Sequence, residues 1–248
     1  MRRALFVPVI LGLLALAAPA AFAKATAPRV VVAVVDSGVT PTTQLAPRLL
    51  HGWAFVDNDA TPNDQNGHGS EIASIVVSQC GTCRILPVRV IGGAGFGTAD
   101  LATQGIQWAV AHGAQVINLS MTTPSDNAEL AGAIEDAVHA GVTVVVAAGN
   151  SGQPTGYPGM SAPDAITVGS VDSAGQFYSW SNYGPWVNAL APGVLPARTS
   201  NGKLIDAVGT SASAGYVSGL VARALQCRPT MTPAEARSLA TANTLPTC

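Results

Sequence analysis

The chain is poor in charge: Asp, Glu, Lys and Arg make up only 10% of its 248 residues. Nor has it any excess of positive charge, with 12 basic residues against 14 acidic ones. Without Arg2 and Arg3, which belong to a leader argued below, the balance is 10 against 14, a net −4. Such a mildly acidic body argues against nucleic acid or an anionic membrane as a partner. Internal repeats and a dividing linker are absent, so one domain from about residue 25 to 248 is expected. After the first two dozen residues no apolar run is long enough to cross a bilayer. The first strand is not followed by a Gly-rich turn. Asp36-Ser37-Gly38 runs into Val39-Thr40-Pro41, which leaves no phosphate cradle and sets aside a nucleotide-binding α/β protein.

What the chain has is apolar residues, at 48%, enough to bury a core and exclude disorder. Arg2 and Arg3 precede an apolar run from Ala4 to about Ala18, and Ala21-Phe22-Ala23 offers small residues for cleavage. That order is a secretory signal peptide over residues 1–23. The mature chain, 24–248, is therefore expected outside the cytoplasm, secreted or periplasmic. Cysteine usage agrees with an oxidising compartment. Cys80, Cys83, Cys227 and Cys248 allow three pairings. Redox chemistry at Cys80-Gly81-Thr82-Cys83 would need a helix start, and zinc would need nearby further ligands. Two structural disulfides, Cys80–Cys83 and Cys227–Cys248, are the favoured reading.

Val30–Val35 is a β-branched run suited to a strand buried on both faces. Further strands are expected at 85–91, 115–119, 142–148 and 165–171. Helices are expected at 69–77, at 98–111 with Leu101, Ile106, Ala109 and Val110 on one side, and up to His139, the last capped by Asp126 with Glu129 completing a capping box. Alternation of strands and helices predicts an α/β fold with a mostly parallel sheet flanked by helices. Functional residues then gather at the C-terminal strand ends.

Three segments carry chemistry. Asp36 ends the first strand; alone it could be a metal ligand, a ribose ligand or a cap. His68 stands between Gly67 and Gly69 and opens a helix. Ser211 follows Gly209-Thr210 and opens another; alone it reads equally well as a helix cap. His112 and His139, each at a helix C-terminus, read as structural, with the imidazole serving the last carbonyls. His51 carries no signal. In chain order the three are Asp36, His68, Ser211. A serine hydroxyl needs a base, an imidazole can supply one, and a buried carboxylate can fix the imidazole tautomer. That order distinguishes one triad family from two others.

The chain resembles the subtilisin-like serine proteases (subtilases) from about Arg29 to Thr241. The resemblance is carried by Val35-Asp36-Ser37-Gly38, Gly67-His68-Gly69, Gly209-Thr210-Ser211, Val116-Ile117-Asn118-Leu119-Ser120-Met121, Ala147-Ala148-Gly149-Asn150 and Ala191-Pro192-Gly193-Val194. It implies the subtilisin-like three-layer fold and a serine endopeptidase acting on protein or peptide through an acyl-enzyme. The Asn150 amide and the Ser211 N–H would form the oxyanion site. Substrate would lie beside Ser120, Met121 and Thr122, with Ala147, Ala148 and Gly149 as the opposite wall of the primary pocket. No cofactor is implied for catalysis.

Several positions depart from the family. Thr122-Thr123 replaces a usual Gly-Gly, which predicts a crowded primary pocket favouring small or slender side chains. Gly215 stands for a usual Pro and Ala212 for a common Met; both are expected to loosen the start of the nucleophile helix. Glu71 stands for the family's second His. With only about 12 residues between Ala23 and Asp36, no prodomain is recognisable, so unaided folding, a separately supplied helper or inhibitor, and an incomplete chain all stay open. Calcium is an alternative at Asp57, Asn58, Asp59, Asn63 and Asp64, but a solvated loop is preferred. At residues 79–83, where relatives often hold calcium, a disulfide is expected to replace it. Tyr157-Pro158 falls where relatives have a cis peptide. The alternative to an enzyme is a catalytically silent, subtilase-like peptide-binding protein.

Overall fold

The computed structural model describes residues 29–248. The signal peptide assigned to residues 1–23 lies outside the described residues. Seven parallel strands form the central sheet: β1 (Val31–Asp36), β2 (Trp53–Ala54), β3 (Arg84–Arg89), β4 (Val116–Leu119), β5 (Thr143–Ala147), β6 (Ile166–Val171) and β7 (Ala189–Pro192). Their spatial order is β2-β3-β1-β4-β5-β6-β7. Among the described residues five α-helices accompany them: α1 (His68–Cys80), α2 (Ala99–Ala111), α3 (Ala128–His139), α4 (Thr210–Cys227) and α5 (Pro233–Thr241). A two-stranded antiparallel hairpin, β8 (Val194–Arg198) and β9 (Leu204–Val208), completes the fold.

β1 is apolar almost throughout because both of its faces are covered. Val32 and Val34 join Ile72, Val76, Val217 and Val221 in the layer under α1 and α4. Ala33 and Val35 point the other way, into the layer with Ile106 of α2 and Leu130 and Ile134 of α3. On α2 the buried stripe is Ala102, Gly105, Ile106 and Ala109. Leu101 and Val110 are only half-buried, so small residues rather than the expected leucine and valine let α2 lie flat on the sheet.

Strand order reverses beside β1: the next two strands lie on one side of it and β4 to β7 on the other. In a parallel sheet, this switch between β1 and β4 opens a crevice at the strand C-termini. Asp36 ends β1, and Ser120 immediately follows β4.

The cap of α3 differs from expectation by one residue. Asn127, not Asp126, accepts the Leu130 N–H at 2.8 Å, which places Glu129 too early for a capping box. Such a box does form at α5, between Thr232 and Glu235. The favoured cysteine pairing is present: Cys80–Cys83 closes the end of α1, and Cys227–Cys248 ties the C-terminal tail to α4. Tyr157-Pro158 is cis. His112 Nδ1 bonds the Trp108 carbonyl at 2.8 Å, as expected for a helix-end imidazole. His139 instead faces Asp164, at 3.8 Å. Among the described residues no helix is long and apolar enough to cross a membrane.

Candidate active site

The crevice is assembled by two helices that start there. α1 and α4 pack side by side, and their contacts keep the same register from their first turns. A β-carbon on Gly215, four residues after Ser211, would lie 3.2 Å from Ile72 Cγ2, four residues after His68. A β-carbon on Gly219, eight after Ser211, would lie 2.6 Å from the carbonyl of Val76, eight after His68. Parallel helices matched in this way bring their opening residues together. α4 is continuous from Thr210, and Gly215 provides the gap that Ile72 fills.

Asp36 is fully buried at the end of β1. Its two oxygens lie 2.8 and 3.0 Å from His68 Nδ1. A carboxylate only accepts, so Nδ1 carries the proton and Nε2 is left as the acceptor of the neutral ring. The negative charge of Asp36 raises His68 from its ordinary 6.5 to about 9, against the opposing effect of burial; the Asp36 hydrogen bond, Glu71 and Asp64 act in the same upward direction.

His68 is the first residue of α1, and its helix end is held from upstream. Asp64 accepts from the Gly67 N–H at 2.7 Å, the Asn66 N–H at 3.0 Å and the Ser70 N–H at 2.8 Å. The Ser37 hydroxyl, next to Asp36, donates to Asp64 at 2.8 Å and accepts from the Gly69 N–H at 2.9 Å. The carboxylate thus caps orphan donors at a helix start, where negative charge is favoured. A side chain on Gly69 would run into the Gly38 carbonyl, which is why glycine flanks the histidine.

Ser211 is the second residue of α4. Its hydroxyl donates to the Ser120 carbonyl at 3.3 Å rather than to His68. The Ser211 N–H has no carbonyl four residues back within the helix to bond. Beside it, Asn150 Oδ1 accepts from the Thr210 N–H at 2.8 Å and the Thr210 hydroxyl at 2.9 Å. These acceptances fix the amide so that Nδ2 remains the free donor. Thr210 in turn accepts from the Gly149 N–H at 3.0 Å. Thr210, Asp64 and Ser37 were not singled out in the sequence as supporting residues; Thr210 and Ser37 bond N–H groups 61 and 32 positions away, whereas the Asp64 bonds to Asn66, Gly67 and Ser70 are local.

Ser120, Met121 and Thr122 continue past β4, and Thr123 donates to the Tyr157 carbonyl at 2.9 Å. Met121 and Thr122 border a groove of about 740 Å³ that also touches Phe96 and Tyr157. Asp36, His68 and Ser211 do not line the groove; Ser211 touches Ser120, the residue just before Met121. Ala147 ends β5, and Ala148 and Gly149 follow it, all three buried. A β-carbon on Gly149 would lie 3.2 Å from Thr122 Cγ2, so the two walls approach at this point.

The oxygen-rich loop is braced by its own bonds. Asp57 pairs with the buried Arg89 at 2.6 Å, Asp59 accepts from the Thr61 N–H at 2.5 Å, and Asp64 caps α1. Elsewhere, Glu135, His139 and Asp164 converge. There Arg237 already stands 3.5 Å from Asp164, and Glu135 accepts the Asp164 N–H at 3.1 Å.

The family model described as "Subtilase family" matches residues 28–246. The chain belongs to the subtilase family. It is 37% identical over 203 residues to the thermophilic serine proteinase of Bacillus sp. (strain AK1), covering 77% of this chain and 51% of that protein. It is 34% identical over 239 residues to Subtilisin Savinase of Lederbergia lenta, covering 92% of this chain and 88% of the relative. The crystal structure of a cold adapted subtilisin-like serine proteinase superposes with a TM-score of 0.81 at 31% identity, covering 86% of this chain and 81% of the other. The chain thus spans about half the length of the thermophilic proteinase and most of the length of the other two. Its sheet and flanking helices are those expected of the subtilase fold.

Proposed function

We propose that the protein is a secreted serine endopeptidase. The observation that carries this reading is the pairing of His68 Nδ1 with the buried Asp36 carboxylate at the start of α1, supported by the matched packing of α1 against α4, the helix that Ser211 opens. In the proposed reaction, substrate displaces the Ser211 hydroxyl from the Ser120 carbonyl. His68 Nε2 takes the proton as Oγ attacks the scissile carbonyl, then returns it to the leaving amine. Asp36 fixes the tautomer and stabilises the imidazolium. The free Asn150 Nδ2 and the Ser211 N–H face the charge that develops on the carbonyl oxygen. Water then hydrolyses the acyl-enzyme by the same proton path. These groups call for no cofactor. A silent peptide-binding protein would not require a histidine and serine supported in this detail.

The peptide pairs by its main chain with Ser120, Met121 and Thr122, and the cleaved residue enters between them and Ala147, Ala148 and Gly149. Residues 24–248 are the peptidase domain, and residues 1–23 direct export to the periplasm or beyond. A folding helper or inhibitor supplied by another chain remains among the proposed partners.

Incubation with internally quenched peptides, with products identified by mass, tests the activity. Cleavage at internal bonds is the expected result; intact peptides would reject it. Thr122 narrows the pocket in this reading, so the wild type should prefer small residues at the cleaved position. Thr122→Gly should raise the ratio of aromatic to small-residue turnover roughly tenfold, the scale of one methylene in a pocket. An unchanged ratio would remove Thr122 from the specificity account.

A further inference from the structure

A second line of buried polar groups runs behind the nucleophile. Asn118 in β4 and Ser218 in α4 are both fully buried, and Ser120 is nearly so. Three hydrogen bonds connect them to Ser211. Ser218 Oγ meets Asn118 Oδ1 at 3.0 Å, Asn118 Nδ2 meets Ser120 Oγ at 2.8 Å, and Ser120 Oγ meets the Ser211 carbonyl at 3.2 Å. The direction of the whole chain is fixed at one end. A carbonyl can only accept, so the Ser120 hydroxyl must donate to Ser211. Its oxygen then accepts from the Asn118 amide, and Asn118 Oδ1 must accept from Ser218. Ser218 lies seven residues after Ser211 on the same helix, so the relay leaves α4, crosses β4 and returns to the helix start.

From this we infer that Ser218 and Asn118 are positioning residues for the peptidase proposed above: they hold the strand that pairs with substrate at a fixed distance from the nucleophile. The requirement is specific to peptides. Ser211 Oγ and the Ser120 carbonyl already touch. The substrate backbone must bind that strand while its carbonyl carbon meets Oγ, so a loose joint between strand and helix spoils attack geometry. A small acylating reagent reaches Oγ without using the strand. A buried polar relay is also costly when broken, since each orphaned group loses its partner.

The experiment compares wild type, Ser218→Ala, Ser120→Ala and Ser120→Thr in two assays, with melting curves on each. One assay is turnover of a chromogenic tetrapeptide anilide. The other is the rate of labelling by a small alkyl fluorophosphonate. For Ser218→Ala and Ser120→Ala we expect kcat on the peptide to fall about fivefold to tenfold, the scale of one lost hydrogen bond. For Ser218→Ala, which touches neither substrate nor the nucleophile, KM and the fluorophosphonate rate should stay within about twofold on that same scale. Ser120→Thr, which keeps the hydroxyl, should recover most of the loss. A lowered melting temperature with unchanged kcat would make the relay structural only and overturn the inference. Parallel falls in peptide turnover and labelling would place the damage at Ser211 itself, also overturning it. If Ser218→Ala does not fold, the recovery of kcat from Ser120→Ala to Ser120→Thr, set against their melting temperatures, decides the question. A folded wild type that neither turns over peptide nor takes the label would reject the peptidase reading, and with it this one.

Discussion

Replacing Ser211 by alanine is expected to lower peptide turnover by roughly 10⁶-fold, the scale seen when a nucleophile that works as a unit with its base is removed. Stability should change little. Ser211 is half-buried at a helix start, and the hydrogen bond its hydroxyl makes is to the Ser120 carbonyl. The bond from Ser120 to the carbonyl of residue 211 needs no side chain there. Peptide affinity should survive, because the pairing strand and both pocket walls are untouched. A variant that binds peptide but does not cut it would separate the groove from the chemistry. Retention of a tenth or more of the wild-type rate would place the nucleophile elsewhere.

The second large effect is expected at Asp36. Asp36→Asn keeps the shape of the buried site but removes the charge that does most to raise His68 toward 9. Its amide can also donate to Nδ1, which favours the wrong tautomer. Turnover should fall by roughly 10⁴-fold. The pH dependence gives a second readout. A general base must be neutral, so wild-type activity should rise with pH, its acid limb displaced upward from 6.5 toward about 9. In Asp36→Asn that limb should move down, because burial, which disfavours the imidazolium, loses its main opponent. The linkage to folding has the opposite sense. The raised value of His68 stabilises the folded state fully below its ordinary 6.5, and that contribution is lost as pH rises through about 9. An acid limb that stayed in place in the variant would contradict this reading of Asp36.

The chemistry was more legible in the sequence than the scaffold around it. Asp36, His68 and Ser211 were legible from residue type and chain order, and Asn150 only through the resemblance to the subtilases. β1 and β5 were legible because burial on both faces makes their runs almost wholly apolar; β4 was legible although the buried Asn118 interrupts it. The β8–β9 hairpin was not. Its outward residues include Val194, Leu204 and Val208, all exposed, so hydropathy there does not alternate with burial. α5 buries only Ala236 and Ala240, too weak a stripe to announce a helix. The cap of α3 was misplaced because Asp126 and Asn127 are adjacent and both suit the role; only the bond to Leu130 chooses between them. Asp64 read as part of an oxygen-rich loop, whereas its carboxylate holds the helix that presents His68. Those bonds reach only three to six positions along the chain, but a run of Asp and Asn suits a solvated loop equally well, so residue type alone does not choose between the two.

The central claim is that Ser211 is an activated nucleophile, and the most direct test is covalent. The mature wild-type protein and Ser211→Ala are treated with a fluorophosphonate, and the adduct is mapped by mass spectrometry. The account predicts one adduct, on Ser211, in the wild type and none in the variant. A folded wild type that takes no label, or one labelled equally in Ser211→Ala, would contradict it.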